Sequence, residues 1–167
     1  MIRPATEDKL GCCREGEAFE HEFIAKYGER LGVSLNPEKL DNPYPPDLVD
    51  ANGLADLKTQ TQPFYSAGKS YGIDPMYCVT FNRKDGVRYW NLYRDLTIYF
   101  WVRWAGDTQY KVTVPKFEAV YMIPFPALAL MLKDAPLHAY KKRIHDTVNA
   151  KESYLLDTRS MKLLESS

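Results

Sequence analysis

The sequence predicts an α/β fold in which a mixed, mainly antiparallel central sheet is flanked by helices. Three patterns predict it: a helical repeat of apolar residues near the N terminus, strand-forming residues through the middle, and a second helical pattern near the C terminus. The chain of 167 residues suits a single domain, and 45% apolar residues are enough for a sizeable core. These proportions exclude global disorder.

The first predicted element is a helix from about Glu15 to Leu31. Apolar residues recur at every fourth position, and charged residues fill the positions between them. Gly32 follows as a C-terminal stop. The apolar face that this repeat predicts is formed by Phe19, Phe23, Tyr27 and Leu31.

A β-hairpin is predicted next. Residues 36–46 contain four prolines, which makes them a rigid, non-helical approach segment. The short runs 47–51 and 54–60 then flank Asn52-Gly53, a dipeptide that favours a tight turn between antiparallel strands. Residues 62–75 are turn-rich and predict a loop with one helical turn.

The middle of the chain predicts further strands, and the last part predicts helix. Aromatic and β-branched residues are dense between residues 76 and 123, with turns expected at Asp85-Gly86 and Gly106-Asp107. The predicted strands are Met76–Phe81, Val87–Tyr93, Ile98–Trp104 and Tyr110–Val114. A helical C-terminal part over about 126–167 completes the domain, with Pro136 opening a helix whose apolar face would be Leu137, Tyr140, Ile144 and Val148. Within this part the pattern of residues 151–167 is ambiguous.

Charge and composition exclude several classes of protein. The chain has 22 basic and 22 acidic side chains, so its formal net charge is zero and it cannot coat a polyanion through bulk charge. A local acidic site beside a basic surface would still allow nucleic-acid binding. No run approaches the roughly 20 apolar residues of a membrane span, and no secretory signal is visible. The 3 cysteines form no disulfide framework, so a reducing cytoplasm is the expected compartment.

The hairpin carries the residues that predict chemistry. Side chains alternate along a strand, so Asp56, Lys58 and Gln60 face the same way, and Asp47 lies across the hairpin from them. Two adjacent carboxylates repel unless a cation lies between them, and Mg²⁺ is the natural occupant, with Mn²⁺ as a substitute. A lysine beside that metal could orient or deprotonate a water, or stabilise developing charge on a phosphate. Asp50 could replace Asp47 if the register slips.

These residues resemble the signature of a known enzyme superfamily. Pro46-Asp47 followed by Asp56-Leu57-Lys58 is similar to the motif of the PD-(D/E)XK nucleases, which have the restriction-endonuclease-like fold. Gly16-Glu17-Ala18-Phe19-Glu20 is similar to the helix start in archaeal Holliday-junction-resolvase-like members. The resemblance covers about residues 14–61, and it places the catalytic core at about 14–125.

The resemblance implies a Mg²⁺-dependent deoxyribonuclease and assigns a role to each site residue. Lys58 would be the catalytic lysine, and Gln60 would help to orient the attacking water. Glu17 is the alternative if Glu20 is not the third carboxylate. The implied metal ligands are Glu20, Asp47, Asp56 and the backbone carbonyl of Leu57.

DNA is the expected partner, and two groups of residues are candidates for contacting it. One group directly follows the active-site strand, and the other mixes basic residues with aromatic ones. Their members are Tyr65, Ser66 and Lys69 in the first, and Arg83, Lys84 and Arg88 in the second. The competing prediction is a non-catalytic module that keeps the fold and binds nucleic acid or protein. Both a nuclease and a binding module could act as a homodimer, and no membrane partner is expected.

Overall fold

A six-stranded mixed sheet organises the chain in the computed structural model, which describes residues 16–139 and 152–167. The helices are α1 (residues 16–31), α2 (Ala67–Tyr71), α3 (Arg83–Leu92) and α4 (Phe125–Leu132). The strands are β1 (Ser34–Leu35), β2 (Leu48–Asp50), β3 (Gly53–Gln60), β4 (Cys78–Asn82), β5 (Thr97–Trp104), β6 (Thr108–Gln109), β7 (Val112–Thr113), β8 (Phe117–Pro124), β9 (Leu137–Ala139), β10 (Glu152–Asp157) and β11 (Lys162–Ser166). Short 3₁₀ turns cover Pro37–Leu40, Pro75–Tyr77 and Thr158–Ser160.

The main sheet has the order β1-β2-β3-β5-β8-β11. Strands β3 and β5 are parallel, and the other neighbouring strands are antiparallel. A parallel pair requires a crossover connection, which α2, β4 and α3 supply here. A second antiparallel sheet has the order β4-β10-β9, and β6 and β7 form a small hairpin. The predicted mixed, mainly antiparallel sheet with flanking helices is confirmed.

The predicted first helix is confirmed over its described residues. Phe23 and Tyr27 of α1 are buried against one face of the main sheet, and Gly32 ends the helix with a left-handed φ of 65°. Part of the helix, Ile24–Gly28, is π-helical. The opposite face of the sheet packs against a second core that includes Phe100 from β5. Alternate residues of β5 therefore belong to different cores.

The predicted hairpin is confirmed, with its turn one residue earlier than expected. Asp50 pairs with Gly53, so the turn residues are Ala51 and Asn52. Gly53 opens β3 with a φ of 126°, a conformation that side-chain-bearing residues rarely adopt. The glycine signal was right, but it marks the first residue of the strand.

The segment predicted as a strand at Val87–Tyr93 is instead helical, which corrects the sequence prediction. Helix α3 spans Arg83–Leu92 and also absorbs the expected turn at Asp85-Gly86. The Asn82 side chain caps the helix by accepting from the Lys84 backbone N–H at 2.9 Å. Tertiary packing of the Tyr89 side chain outweighs the strand preference of the aromatic and β-branched residues.

The C-terminal part also differs from the prediction. Leu137–Ala139 is a strand, so Pro136 opens no helix there, and the ambiguous residues after 151 form strands β10 and β11 instead of adding to the predicted helical part. In the described C-terminal part, α4 is an α-helix and Thr158–Ser160 is a 3₁₀ turn. The predicted helical residues 140–151 lie outside the described residues. Within the described ranges, no helix is long and apolar enough to cross a membrane.

Candidate active site

Asp56 is the most buried charged residue of the hairpin. It lies in β3 with 4% of its surface exposed, on the face that packs against α3. Its carboxylate accepts from the Asp47 backbone N–H at 3.3 Å and from the Tyr89 hydroxyl, and it pairs with Lys58 at 3.0 Å. Burial alone would raise the pKa of the Asp56 carboxyl, but the Lys58 charge and these hydrogen bonds hold it below its usual range. Asp56 is therefore a buried carboxylate that stays ionised.

Asp47 lies beside Asp56, as the predicted pairing requires. The register of β2 with β3 pairs Leu48 with Ala55, which brings the preceding Asp47 opposite Asp56. Burial and the negative charge of Asp56 together raise the pKa of the Asp47 carboxyl from 3.8 to about 8. Two carboxylates thus share a site in which full ionisation of both costs free energy.

Lys58 is held between two carboxylates. Its ammonium lies 3.0 Å from Asp56 and 2.7 Å from Asp85 of α3, and it also lies over the Tyr89 ring. Burial would lower the pKa of Lys58, but the charge of Asp56 keeps it well above its ordinary value. Lys58 therefore stays protonated at neutral pH, which favours charge stabilisation and water orientation over the deprotonation of a water.

Glu20 reaches this site through a lysine that the sequence analysis did not select. The Lys39 ammonium lies 3.3 Å from Glu20 Oε1 and also bonds Asp47 Oδ1, which joins α1 to the hairpin. The Lys39 side chain is 22% exposed. Glu17 is exposed on α1, so Glu20 is the glutamate that the helix brings towards the hairpin. No local pattern marks Lys39, because its partners lie 8 and 19 residues away in sequence.

The backbone around Lys39 is fixed by buried Asn36. The Asn36 side chain donates to the Pro46 carbonyl at 2.9 Å and accepts from the Glu38 backbone N–H. Its own backbone N–H donates to the Asp47 carbonyl at 3.0 Å. The proline-rich segment is thereby tied to the start of β2, which holds Lys39 and Asp47 side by side.

The carboxylates fit a hard divalent cation in part. Asp47 and Asp56 supply two adjacent carboxylates, and Mg²⁺ is commonly held by one or two carboxylates with waters completing its shell. In residues 16–139 and 152–167, however, no three acidic, histidine or cysteine side chains stand close enough together to ligate one ion. Glu20 faces Lys39 instead. The predicted three-carboxylate set is therefore incomplete while Lys39 stays in place.

Three other residues considered for the site make contacts away from the paired carboxylates. The Gln60 amide accepts from the Thr80 backbone N–H at 3.0 Å and donates to the Gln62 carbonyl at 2.9 Å, so it ties β3 to β4 rather than facing the carboxylates. Leu57 is buried on the α1 side of the sheet, and the metal role of its carbonyl stays a prediction. Asp50 accepts from the Tyr99 hydroxyl at 2.8 Å, so the register has not slipped and Asp50 does not replace Asp47.

The first group of predicted DNA contacts contains one buried residue and two exposed ones. Tyr65 has only 6% of its surface exposed and packs in the core, so its predicted contact with substrate stays a prediction that this packing does not favour. Ser66 and Lys69 are exposed at helix α2. These two remain available to a phosphate backbone.

The second group lies on α3, the helix that also carries Asp85 and Tyr89. Arg83 pairs with Glu152, and Lys84 is exposed. Arg88 donates to the Tyr44 carbonyl, just before the Pro46-Asp47 pair. The helix thus borders the acidic site and carries basic residues along it.

Sequence reasoning missed Asp85 and Tyr89 because it missed α3. A usable signal was present: Asn82 stands three residues before Asp85, a spacing typical of a capped helix start. A helical reading would also have put Asp85 and Tyr89, four positions apart, on one face.

Comparison of the chain with known proteins finds no matching family model, curated protein or solved structure.

Proposed function

We propose that this protein is a Mg²⁺-dependent nuclease that hydrolyses DNA phosphodiester bonds. One observation carries the proposal: a buried, ionised Asp56 lies beside Asp47 and pairs with Lys58 at 3.0 Å on the same face of the sheet. Such a grouping of two carboxylates and an ammonium costs folding free energy and is typical of a functional site. Its order along the chain, after a helix that carries Glu20, supports the PD-(D/E)XK resemblance.

Each residue has a role that its surroundings support. Asp47 and Asp56 would hold the metal, and Glu20 would join them. The bound ion supplies polarisation of the scissile phosphate and a lowered pKa for its water. Lys58, protonated at neutral pH, would stabilise negative charge that develops on the phosphate oxygens. Water adds to phosphorus as one P–O ester bond breaks, and overall one proton of that water ends on the departing oxygen, which gives a phosphate monoester and an alcohol.

The space beside Lys58 supports access by a substrate. An open depression of about 400 Å³ is lined by Lys58, Asp85, Asn82 and Thr80, and the ammonium of this Lys58 pairs with Asp56. Lys84 and Arg88 lie on the same helix as Asp85 and could contact flanking phosphates. DNA in a reducing cytoplasm remains the proposed partner and compartment.

A non-catalytic nucleic-acid- or protein-binding module is the second candidate. Lys39 favours it, because its ammonium already bonds the Glu20 and Asp47 carboxyl groups without any metal. In that case the carboxylates would serve the fold or charge matching, and no divalent cation would be needed.

A nuclease assay separates the two candidates. Wild type should cleave at least one of supercoiled, linear duplex, branched or single-stranded DNA with Mg²⁺ or Mn²⁺, and EDTA should abolish cleavage. Asp56→Asn and Lys58→Ala should lose activity while circular dichroism remains that of the folded protein. The matched controls are Asp107→Asn and Lys162→Ala at exposed positions, which should cleave like wild type. Full activity in EDTA or in either site variant would refute the mechanism.

A further inference from the structure

Lys39 occupies the place where a third carboxylate would have to join the proposed metal site. Its ammonium bonds Asp47 and lies 3.3 Å from Glu20 Oε1. We propose that Lys39 is an internal counter-ion that a divalent cation must displace before Glu20 and Asp47 can bind the metal together. This inference rests on the proposed nuclease function, and it adds a residue that governs metal affinity.

Lys39 and a divalent cation would compete for the same carboxylate oxygens. An ammonium and a divalent cation both seek the carboxylate oxygens of Glu20 and Asp47, and the ammonium now contacts one oxygen of each. Among the described residues, no set of three ligands is assembled while Lys39 stays there. Metal binding and the Lys39 contacts are therefore mutually exclusive at these oxygens, and the metal must offset the loss of both ion pairs.

The geometry allows the ammonium to leave without unfolding its segment. Lys39 lies in the 3₁₀ turn Pro37–Leu40, whose backbone is anchored through Asn36 to Pro46 and Asp47. Its side chain is 22% exposed, and neighbouring Leu40 is 89% exposed. The lysine stem is flexible and its ammonium is readily hydrated, so rotation towards solvent frees both carboxylates while the backbone stays in place.

Lys58, the other lysine of the site, has different ion-pair partners from Lys39. Its ammonium is held by Asp56 and by Asp85 from α3, and neither contact involves Glu20 or Asp47. A metal at Asp47 can therefore displace Lys39 while Lys58 keeps a carboxylate partner at Asp85. The two lysines of the site thus have different roles: one competes with the metal, and the other stays beside the reacting phosphate.

Calorimetric titration of the full chain with Mn²⁺ tests this proposal. Lys39→Gln removes the competing charge, so it should bind Mn²⁺ about tenfold more tightly than wild type, which corresponds to ~1.4 kcal/mol. Lys39→Arg keeps a cation that can contact both carboxylates, so it should bind no more tightly than wild type. Lys162→Gln, which removes a charge at an exposed position, is the matched control and should not change the affinity.

The outcomes separate this inference from the proposed function. Binding by Lys39→Gln but not by wild type would support the inference. Equal or weaker binding by Lys39→Gln, with clear binding by wild type, would overturn the inference and leave the nuclease proposal standing. Absence of Mn²⁺ binding in both proteins would overturn the metal site itself, and this inference with it.

A measurement on wild type covers the case in which Lys39→Gln does not fold. An amine-acetylating reagent followed by peptide mass spectrometry reports how accessible each lysine is. Mg²⁺ should raise the modification of Lys39 several-fold and leave exposed Lys162 unchanged. Unchanged modification of Lys39 at saturating Mg²⁺ would overturn the proposal.

Discussion

Replacing Asp47 by asparagine is expected to stabilise the metal-free protein at alkaline pH. The Asp47 carboxyl lies beside Asp56, and its pKa rises from 3.8 to about 8 on folding. Between those pH values the folded protein holds a proton that the unfolded chain releases, so wild-type stability falls as the pH rises through this window. An asparagine does not titrate, so Asp47→Asn should lose this pH dependence.

The magnitude follows from the size of the shift. A change from 3.8 to about 8 spans about four pKa units, which sets an upper limit of roughly 5 to 6 kcal/mol. The Asp47 side chain is 18% exposed and its ion pair with Lys39 is lost in the variant, and both effects reduce the gain. We expect Asp47→Asn to be more stable than wild type by about 1–3 kcal/mol above pH 8, and about equally stable near pH 4.

Urea denaturation followed by circular dichroism between about pH 4 and pH 9 measures this difference. Asp50→Asn in β2, three residues after Asp47, is the matched control, because Asp50 bonds Tyr99 and the Asn52 backbone rather than facing a second carboxylate. The control should show no gain at alkaline pH. Curves for Asp47→Asn and wild type that run parallel from acid to alkaline pH would refute the electrostatic reasoning.

Two further variants test the surroundings of Asp56. Lys58→Met leaves Asp56 and Asp85 without their shared cation, so the free energy of unfolding at neutral pH should fall by about 3 kcal/mol, and Lys58→Arg should restore part of it. Unchanged stability of Lys58→Met in urea denaturation would contradict this. Tyr89→Phe removes a hydrogen bond to the Asp56 carboxylate, so it should cost about 1–2 kcal/mol and raise the pKa of Asp56 in an NMR titration. An Asp56 pKa that stays at the wild-type value would show that the tyrosine does not stabilise the charge.

The hairpin and its acidic row could be predicted because their determinants are local. Alternation along one strand places Asp56 and Lys58 on the same face, and Gly53 directly after the turn sets the pairing that brings Asp47 opposite Asp56. The helix before them is equally local, since a four-residue apolar repeat defines its buried face through Phe23 and Tyr27.

The remaining site residues could not be predicted because they meet through tertiary packing. Asp85 and Tyr89 come from a helix whose aromatic and β-branched residues favour a strand when they are taken alone. Lys39 stands in a proline-rich segment with no periodicity, and it contacts Glu20 and Asp47 only because Asn36 anchors that segment to the hairpin. Pairings of this kind depend on the completed fold.

The central claim is that Asp47 and Asp56 form a divalent-cation site, and a crystal of the wild-type protein grown with Mn²⁺ tests it most directly. Anomalous scattering from manganese locates the ion without reference to any assumed mechanism. We expect a strong manganese peak bound by both carboxylates, with the Lys39 ammonium moved away from Asp47 and Lys58 still beside Asp85. A fully ordered site with Lys39 in place and no manganese peak at saturating Mn²⁺ would contradict it.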